Sequence, residues 1–502
     1  MLISTSLTYW CILHWWFGFA LALSSSEPPA QQPRTAANTK NEKIAVIGSG
    51  ASGLAAARVL SRNGYQPLVL EKEAFEGGVW KYRKRSKTDP VYRGLRTNLP
   101  KELMAYREFP WPPISENPVE DQSFLTHGEV LDYLQIYKDK FSLHDYIRRG
   151  CKVTNLNVLE GTTSSVSPEH EKWPKIQLEW EDQTASSGES AIKTDTFDAV
   201  LVCNGHYAKP SVPEIPGATE YFKGKTYHSL EYDDPTDFKD LRVLCIGARA
   251  SGEDLAREIA DVSSHLYLSS STYPAGQPPK TEGKVTLVPR TVEVKKDGSV
   301  VFDGLSSERE SVQVDAMIYC TGYDYSFPFI HDPDLLQAVP GERRVKPLYE
   351  QLFHAKYPNL CFLGLPHSVV PFPLFEFQAE AIVAQFEDCQ LPSEDIRMKI
   401  ASKDAVTGGP SGNGRVQDTH YLGSSQWDMM RKLAKLSGHY SENTENFIST
   451  SEKIYDHTGA ERKGRFPGSQ DVYRELVYRR DDGKRDFSTY NLLELEFTKT
   501  NY

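Results

Sequence analysis

Cysteine is scarce in this chain. Seven cysteines occur among 502 residues, and no two of them are spaced as Cys-x-x-Cys. The missing spacing excludes dithiol redox centres and the common zinc sites, so we expect no bound metal. Four cysteines lie within apolar runs typical of buried strands, where a small hydrophobic side chain is ordinary: Cys203, Cys245, Cys320 and Cys361.

Basic residues are outnumbered by acidic ones. The chain has 57 Lys and Arg against 68 Asp and Glu, which gives a net charge of −11. A nucleic-acid surface needs clustered basic residues, so this balance argues against nucleic acid as a partner. With 39% hydrophobic and 25% charged residues the composition is that of a globular protein, and the length allows two to four domains.

The N-terminal segment lacks basic residues, and the chain has no Asn-x-Ser/Thr sequon. Residues 7–23 are almost entirely apolar, a length between a signal peptide and a membrane span. No Lys or Arg precedes Arg34, although signal peptides normally begin with a basic region. We predict that residues 1–24 are a signal or an anchor, with cleavage left open, and that residues 25–41 are a linker. The expected location is the secretory pathway or the endoplasmic reticulum membrane, with membrane association through residues 7–23.

Three glycines follow a short apolar run near the start of the globular sequence. Residues 44–47 are Ile-Ala-Val-Ile, and Gly48, Gly50 and Gly53 follow as G-x-G-x-x-G ahead of a helical pattern. The pattern predicts a strand, a tight turn and a helix whose N-terminus binds a pyrophosphate. Glu71 ends the next apolar run, 23 residues after Gly48, where a carboxylate can accept a hydrogen bond from a ribose hydroxyl. We therefore predict a dinucleotide site here.

A second, imperfect copy of this pattern starts at residue 241. Gly247, Ser251 and Gly252 follow an apolar run, but Arg249 stands where the middle glycine would be. One such turn is weak evidence, whereas two in one chain predict two Rossmann-like domains and two dinucleotides.

The second unit lacks an acid at the end of its second strand. Ser270 lies 23 residues after Gly247, the offset that Glu71 has from Gly48. A serine does not repel a 2′-phosphate as a carboxylate does, so this position favours NADPH over NADH. Arg249 and Lys280 are the candidates for the phosphate contact.

The stretch between the two glycine motifs is the most distinctive in the chain. Residues 222–232 read Phe-Lys-Gly-Lys-Thr-Tyr-His-Ser-Leu-Glu-Tyr, which matches F-x-G-x-x-x-H-x-x-x-Y/F. In this motif, and in the order of the segments around it, the chain resembles the flavin-containing monooxygenases. The resemblance covers about residues 42–390 and extends to four further segments: 76–80, 97–102, 320–323 and 371–379. The related Baeyer–Villiger monooxygenases carry Trp where this chain has Tyr232.

The resemblance implies an α/β fold with two Rossmann-like dinucleotide-binding domains, the NADPH domain being inserted into the FAD domain. Residues 42–215 would form the first part of the FAD domain, 216–319 the NADPH domain, and 320–502 the second part with a C-terminal extension. The residues that would hold FAD and approach the nicotinamide are Gly48, Ser49, Gly50, Ala51, Ser52, Gly53, Glu71, Val79, Trp80, Thr97, Asn98 and Gln378. The residues that would contact NADP are Gly247, Arg249, Ser251, Gly252 and Ser270.

The resemblance also implies a reaction. NADPH would reduce FAD, the reduced flavin would take up O₂ as a C4a-hydroperoxide, and an amine nitrogen or thioether sulfur of a small molecule would be oxygenated. Asn98 would be the catalytic side chain; the alternative is that it only stabilises the turn before Leu99 and Pro100. Three other functions stay open: Baeyer–Villiger oxygenation of a ketone, an NADPH oxidase that releases H₂O₂, and a non-catalytic flavin-binding sensor.

Histidine gives no clear acid–base candidate. His228 lies within the distinctive motif, between the two predicted domains. A histidine in a connector more often orients backbone through hydrogen bonds than it transfers protons, so we interpret His228 as structural. We interpret His127 and His206 in the same way.

Overall fold

The computed structural model describes residues 39–112, 121–184, 191–305, 311–407, 415–463, 466 and 471–493. The predicted signal or anchor at 1–24, including the apolar residues 7–23, lies outside this range, as does most of the linker 25–41. Of the helices within the described ranges, none is both long enough and apolar enough to cross a membrane.

The chain begins with the predicted strand, turn and helix. Strand β1 (Ile44–Ile47) is buried at every position, and helix α1 (Ala51–Arg62) follows it directly. Strand β2 (Leu68–Leu70) pairs parallel with β1. The elements that follow, up to residue 210, are α2 (Lys101–Met104), α3 (His127–Lys140), β3 (Ile147–Arg148), β4 (Cys151–Leu159), β5 (Lys175–Asp182), β6 (Ala191–Phe197), β7 (Ala199–Val202) and β8 (Lys209–Pro210).

A second group of elements occupies residues 218–319 and contains the second glycine motif. Its helices and strands are α4 (Ala218–Tyr221), β9 (Lys225–His228), β10 (Arg242–Ile246), α5 (Ala250–Val262), β11 (His265–Ser269), β12 (Lys280–Glu282), β13 (Val285–Val288), β14 (Thr291–Val294), β15 (Val300–Phe302) and β16 (Ala316–Tyr319).

The rest of the chain is a third group. Its elements are β17 (Tyr323–Asp324), β18 (Gln337–Val339), β19 (Arg344–Lys346), β20 (Leu348–Tyr349), β21 (Phe353–His354), β22 (Leu360–Phe362), α6 (Pro371–Glu387), α7 (Glu394–Thr407), α8 (Gln426–Leu436), α9 (Glu442–Lys463), β23 (Leu476–Asp481) and β24 (Asp486–Asn491).

Two larger sheets organise these elements. The first has the strand order β20-β21-β22-β7-β1-β2-β3, in which the five strands from β22 to β3 are parallel. The second has the order β12-β13-β11-β10-β16-β9, parallel from β13 to β9. Strand β22 returns to the first sheet after the second sheet is complete. The second Rossmann unit is thus inserted into the first, as the sequence predicted.

Both faces of each parallel sheet are covered, because successive strand residues point to opposite sides. On β1, Ile44 and Val46 join a core with α1 and α6, whereas Ala45 and Ile47 join a core with the three-stranded sheet β4-β5-β6. Strand β10 divides in the same way between two further cores. The carboxyl ends of the parallel strands are left to carry the glycine turns.

Candidate functional site

The first turn requires glycine at two positions. Gly48 has φ +100°, and a Cβ there would lie 2.6 Å from the Cys203 carbonyl oxygen at the end of β7. A Cβ on Gly53 would lie 2.0 Å from the Gly48 carbonyl oxygen, so only glycine lets α1 pack this closely on the turn.

Gly50 is different, because its backbone is ordinary. Its φ and ψ are −70° and −173°, and the atom nearest to a Cβ there would be the Gly78 Cα, at 3.6 Å. Gly50 also precedes α1 without a side-chain cap, so the first N–H groups of that helix have no such partner within the described residues. Gly50 and Gly78 have no side chains, so a diphosphate could approach their backbones beside the uncapped N-terminus of α1.

Glu71 lies at the end of β2 beside this turn. Its Oε2 accepts the N–H and the hydroxyl of Ser49, both at 2.7 Å, and its Oε1 accepts the Glu73 N–H at 2.9 Å. The carboxylate is only 5% exposed. These hydrogen bonds hold the acid against the turn, where the sequence predicts a ribose.

The second turn has the same geometry as the first. Gly247 has φ +108°, and a Cβ there would lie 2.5 Å from the Cys320 carbonyl oxygen. A Cβ on Gly252 would lie 1.7 Å from the Gly247 carbonyl oxygen. The Gly247 N–H donates to the Ser269 carbonyl at 2.9 Å, which is the distance from the Gly48 N–H to the Leu70 carbonyl. Residues 241–262 therefore form a true second dinucleotide-type turn.

Arg249 occupies the middle position without backbone strain. Its φ and ψ of −94° and −166° are close to those of Gly50, and any residue adopts them. Its side chain is exposed and has no hydrogen-bond or ion-pair partner within the described residues, and Ser251 in the same turn is exposed too. The departure from the glycine fingerprint leaves the fold intact and places a free guanidinium at the turn.

Ser270 is the structural counterpart of Glu71. The Ser270 N–H donates to the Val288 carbonyl at 3.0 Å, as the Glu71 N–H donates to the Arg148 carbonyl at 2.9 Å. Its hydroxyl lies 2.8 Å from the Thr272 hydroxyl. The second ribose position therefore faces hydroxyl groups where the first faces a carboxylate. The other candidate, Lys280, is exposed and lies over the Phe466 ring at 5.4 Å.

Asn98 is the exposed residue of an otherwise buried or half-buried loop between β2 and α2, which we call the Asn98 loop (residues 96–100). The preceding Thr97 is buried and exchanges two hydrogen bonds with Leu125: its N–H donates to the Leu125 carbonyl at 2.7 Å, and its hydroxyl accepts the Leu125 N–H at 3.0 Å. The Asn98 side chain is exposed and makes no hydrogen bond within the described residues. Within the described residues no side-chain hydrogen bond of Asn98 supports the turn-stabilising interpretation. The catalytic role of Asn98 and its alternative both stay predictions.

Two distant segments close around the first turn. Val79 and Trp80 lie on a short 3₁₀ helix at 78–80, and Trp80 packs against the core of the first sheet. Gln378 on α6 is buried, and its side-chain oxygen accepts the Gly364 N–H at 3.0 Å. A Cβ on Gly364 would lie 3.6 Å from the Ser52 Cβ, so Gln378 supports the turn from the far segment.

Tyr106 also supports the first turn, although no sequence motif marks it. It is fully buried, and its hydroxyl donates to the Ala51 carbonyl at 2.7 Å, within the first turn of α1. The only signal was an aromatic residue in an irregular segment, which is typical of many core positions.

His228 forms hydrogen bonds with backbone groups, as predicted. Its Nε2 donates to the Gly322 carbonyl at 3.0 Å, and its Nδ1 accepts the Leu230 N–H at 3.1 Å. Burial lowers the pKa of the imidazole, so the neutral form is favoured. His228 therefore links the entry of the second domain to its exit and has no free nitrogen for proton transfer.

A family model described as flavin-binding monooxygenase-like matches residues 41–274 and 279–424. The chain belongs to the flavin-containing monooxygenases. This monooxygenase is 35% identical over 432 residues to the flavin-containing monooxygenase FMO GS-OX5 of Arabidopsis thaliana, covering 81% of this chain and 86% of that protein. It is 34% identical over 420 residues to FMO GS-OX-like 4 of the same plant, covering 80% and 88%.

A solved structure extends the match. S-allyl-L-cysteine S-oxygenase from Allium sativum aligns with a TM-score of 0.73 and 28% identity, over 92% of this monooxygenase and 99% of that chain. The predicted family and enzyme class are confirmed, and FAD and NADPH are the cofactors of this oxidoreductase. The contacts that single residues make with those cofactors stay predictions, and the two turns are where they would form.

Proposed function

We propose that this monooxygenase transfers one oxygen atom from O₂ to the sulfur of a small-molecule thioether. The observation that carries the proposal is the match to the S-allyl-L-cysteine S-oxygenase of Allium sativum, which extends over 99% of that enzyme at 28% identity. An amine nitrogen is the second acceptor, because it is also a soft nucleophile.

The overall reaction is balanced, and it requires no proton transfer to or from the substrate. A thioether, O₂, NADPH and a proton give a sulfoxide, water and NADP⁺. A thioether sulfur carries no proton that a side chain would have to remove, and the sulfur lone pair is the nucleophile. The chemistry that FAD supplies when bound is the reductive activation of O₂ by electrons from NADPH.

In this reaction the protein would bind and orient the two cofactors and supply hydrogen bonds. Gly48, Gly50 and Gly53 would hold the diphosphate of FAD, and Gly247 and Gly252 that of NADPH. Asn98 carries an exposed amide that can donate or accept a hydrogen bond, on a loop held by the buried Thr97.

A substrate panel tests the proposal. The purified FAD-loaded protein is given NADPH and, separately, S-allyl-L-cysteine, trimethylamine and cyclohexanone, while NADPH consumption, H₂O₂ and product mass are followed. We expect substrate-stimulated NADPH consumption with S-allyl-L-cysteine and a product 16 mass units heavier, as insertion of one oxygen requires. Turnover of cyclohexanone alone would indicate Baeyer–Villiger chemistry, peroxide alone an oxidase, and no substrate response a sensor. Each of these three outcomes contradicts the proposal.

We further propose that residues 1–24 direct the protein to the secretory membrane system. The support is the apolar run at 7–23 followed by a linker-like composition at 25–41. Fusion of residues 1–41 to a fluorescent reporter should give an endoplasmic reticulum pattern, and a diffuse pattern would contradict the proposal.

A further inference from the structure

The part of the chain beyond the family match contacts the Asn98 loop. The match ends at residue 424, whereas the C-terminal segment, which we define as residues 471–481, lies after it. Within that segment Arg474 is 2% exposed. Its Nε donates to the Thr97 carbonyl at 2.9 Å, and its Nη2 donates to the Arg96 carbonyl at 3.3 Å. Arg474 thus binds the backbone of the two residues that precede Asn98.

The contact between the segment and the loop is reciprocal. The Arg96 guanidinium donates to the Arg474 carbonyl at 3.3 Å and pairs with Glu475 at 3.1 Å. Tyr473 packs edge-on against Phe124, with ring centroids 5.3 Å apart. The C-terminal segment therefore packs against the Asn98 loop and is bonded to it.

The remaining nitrogen of Arg474 reaches the other dinucleotide domain. Its Nη1 donates to Asp254 Oδ1 at 2.9 Å and also bonds to Asp471. Asp254 lies on α5, two residues after Gly252 of the second turn, and it also accepts the Tyr92 hydroxyl. A single guanidinium thus joins the Asn98 loop to the helix that begins at the NADPH turn.

The bonding of Arg474 shows why this junction is specific. A buried guanidinium needs hydrogen-bond partners for its N–H groups, and lysine, with one nitrogen, cannot reach four acceptors that lie on three sides of Arg474. Asp254 is the partner of Arg474 on α5. Burial by itself would raise the pKa of the Asp254 carboxyl, but the charges of Arg474 and Arg257 hold that pKa below its ordinary value. The Arg474–Asp254 pair is therefore charged, and its geometry is set by four hydrogen bonds.

We propose that Arg474 is a positioning residue that couples NADP occupancy at α5 to the position of the Asn98 amide. A shift of α5 when the nucleotide binds is transmitted through Asp254 and Arg474 to the backbone carbonyls of Arg96 and Thr97. The inference rests on the proposed function only in that Asn98 serves the oxygenation step. It assigns a role to the C-terminal extension.

Hydrogen exchange of the FAD-loaded protein tests the coupling without any substrate. We expect saturating NADP⁺ to slow amide exchange in residues 96–100 of the wild type severalfold. In Arg474→Lys, which keeps a positive charge near Asp254 but loses the fork of donors, that protection should disappear although NADP⁺ still saturates the protein. The two matched controls are Arg462→Lys, whose guanidinium bonds to Glu253 on α5, and Arg480→Lys, whose guanidinium bonds to the Glu102 carbonyl just after the Asn98 loop. Both should keep the protection.

A second variant covers a folding failure of Arg474→Lys. Asp254→Leu keeps the side-chain size on α5 but removes both acceptor oxygens, and it should also abolish the NADP⁺-dependent protection. The proposal is overturned if the wild type shows no protection, if either variant retains it, or if the controls lose it. Because no thioether is present, a failed substrate panel is a separate result. In the full reaction, Arg474→Lys should also raise the H₂O₂ released per NADPH severalfold with FAD content unchanged.

Discussion

The Glu71 carboxylate accepts both the N–H and the hydroxyl of Ser49 through one oxygen, at 2.7 Å each. This pair fixes the acid of the first turn. At the equivalent place in the second turn, Ser270 bonds instead to Thr272. The two turns share a backbone geometry and differ in charge at the ribose position. That difference would let one fold bind two different dinucleotides.

Ser270→Glu should weaken the use of NADPH. The new carboxylate would lie where Glu71 lies in the first turn, and it would repel the 2′-phosphate while accepting a hydrogen bond from the 2′-hydroxyl of NADH. We expect the KM for NADPH to rise about tenfold or more, which corresponds to ~1.4 kcal/mol. The KM for NADH should not rise.

The matched control is Ser441→Glu, an exposed serine ahead of α9. It adds the same charge outside the second group of elements and should leave both KM values unchanged. Equal increases in the KM for NADPH in both variants would contradict the assignment of Ser270.

Alanine at Gly53 should lower stability, whereas alanine at Gly50 should prevent FAD binding. In Gly53→Ala the new Cβ would lie 2.0 Å from a backbone oxygen, so the turn must shift, and we expect stability to fall by about 1–3 kcal/mol even without FAD. In Gly50→Ala the nearest atom is 3.6 Å away, so the apoprotein should keep its Tm but lose FAD. Thermal melting and flavin absorbance separate the two results; full FAD content in Gly50→Ala would show that no ligand approaches that backbone.

Part of this arrangement is readable from the sequence. The first turn is predicted by the spacing of Gly48 and Gly53 and by the 23-residue offset to Glu71. The glycines are informative because a side chain at either position would clash with nearby backbone. The second turn is predicted despite Arg249, since the middle position needs no special backbone conformation. His228 is likewise predicted as structural from its place in a connector.

Other features depend on contacts that leave no local pattern. Arg474 and Thr97 are 377 residues apart in sequence, and their contact appears only when the C-terminal segment folds back on the first domain. Tyr106 supports the first turn across 55 residues, and Gln378 reaches Gly364 from a helix buried on most sides. Periodicity marks such side chains as core and says nothing about which backbone atom they hold.

Asn98→Ala should separate NADPH oxidation from oxygenation. The loop is held by Thr97 and Arg474 rather than by the Asn98 side chain, so FAD should stay bound and the fold intact. Loss of one hydrogen-bond donor at a reacting centre typically lowers the rate by ~10²-fold, and we expect sulfoxide formation to fall by about that factor while H₂O₂ rises. Asn157→Ala, an exposed asparagine on β4, should behave as the wild type. Unchanged sulfoxide yield in Asn98→Ala would remove Asn98 from the site.

Glu102, next to the Asn98 loop, should make stability depend on pH. Burial raises the pKa of its carboxyl from 4.5 to about 7, so between these values the folded protein binds a proton that the unfolded chain releases. Stability is therefore expected to fall as pH rises from 4.5 to 7, by roughly 2–3 kcal/mol for this group. Burial also raises the pKa of the Glu376 carboxyl to about 7, so Glu102→Gln should reduce the pH dependence of the unfolding free energy in that window without abolishing it.

The control for this pH effect is Glu293→Gln, on the exposed side of β14. It removes a carboxylate that is not buried and should leave the pH profile of the wild type in place. A Glu102→Gln protein with the wild-type slope between pH 4.5 and 7 would show that Glu102 does not contribute to it.

Labelled oxygen tests the central claim most directly. The FAD-loaded protein is incubated with NADPH, S-allyl-L-cysteine and ¹⁸O₂, and the product is analysed by mass spectrometry together with the NADPH consumed. The proposed function predicts a sulfoxide that carries one ¹⁸O atom, formed in a ratio close to one per NADPH. NADPH consumption that yields only H₂O₂, or a sulfoxide whose oxygen comes from water, would contradict it.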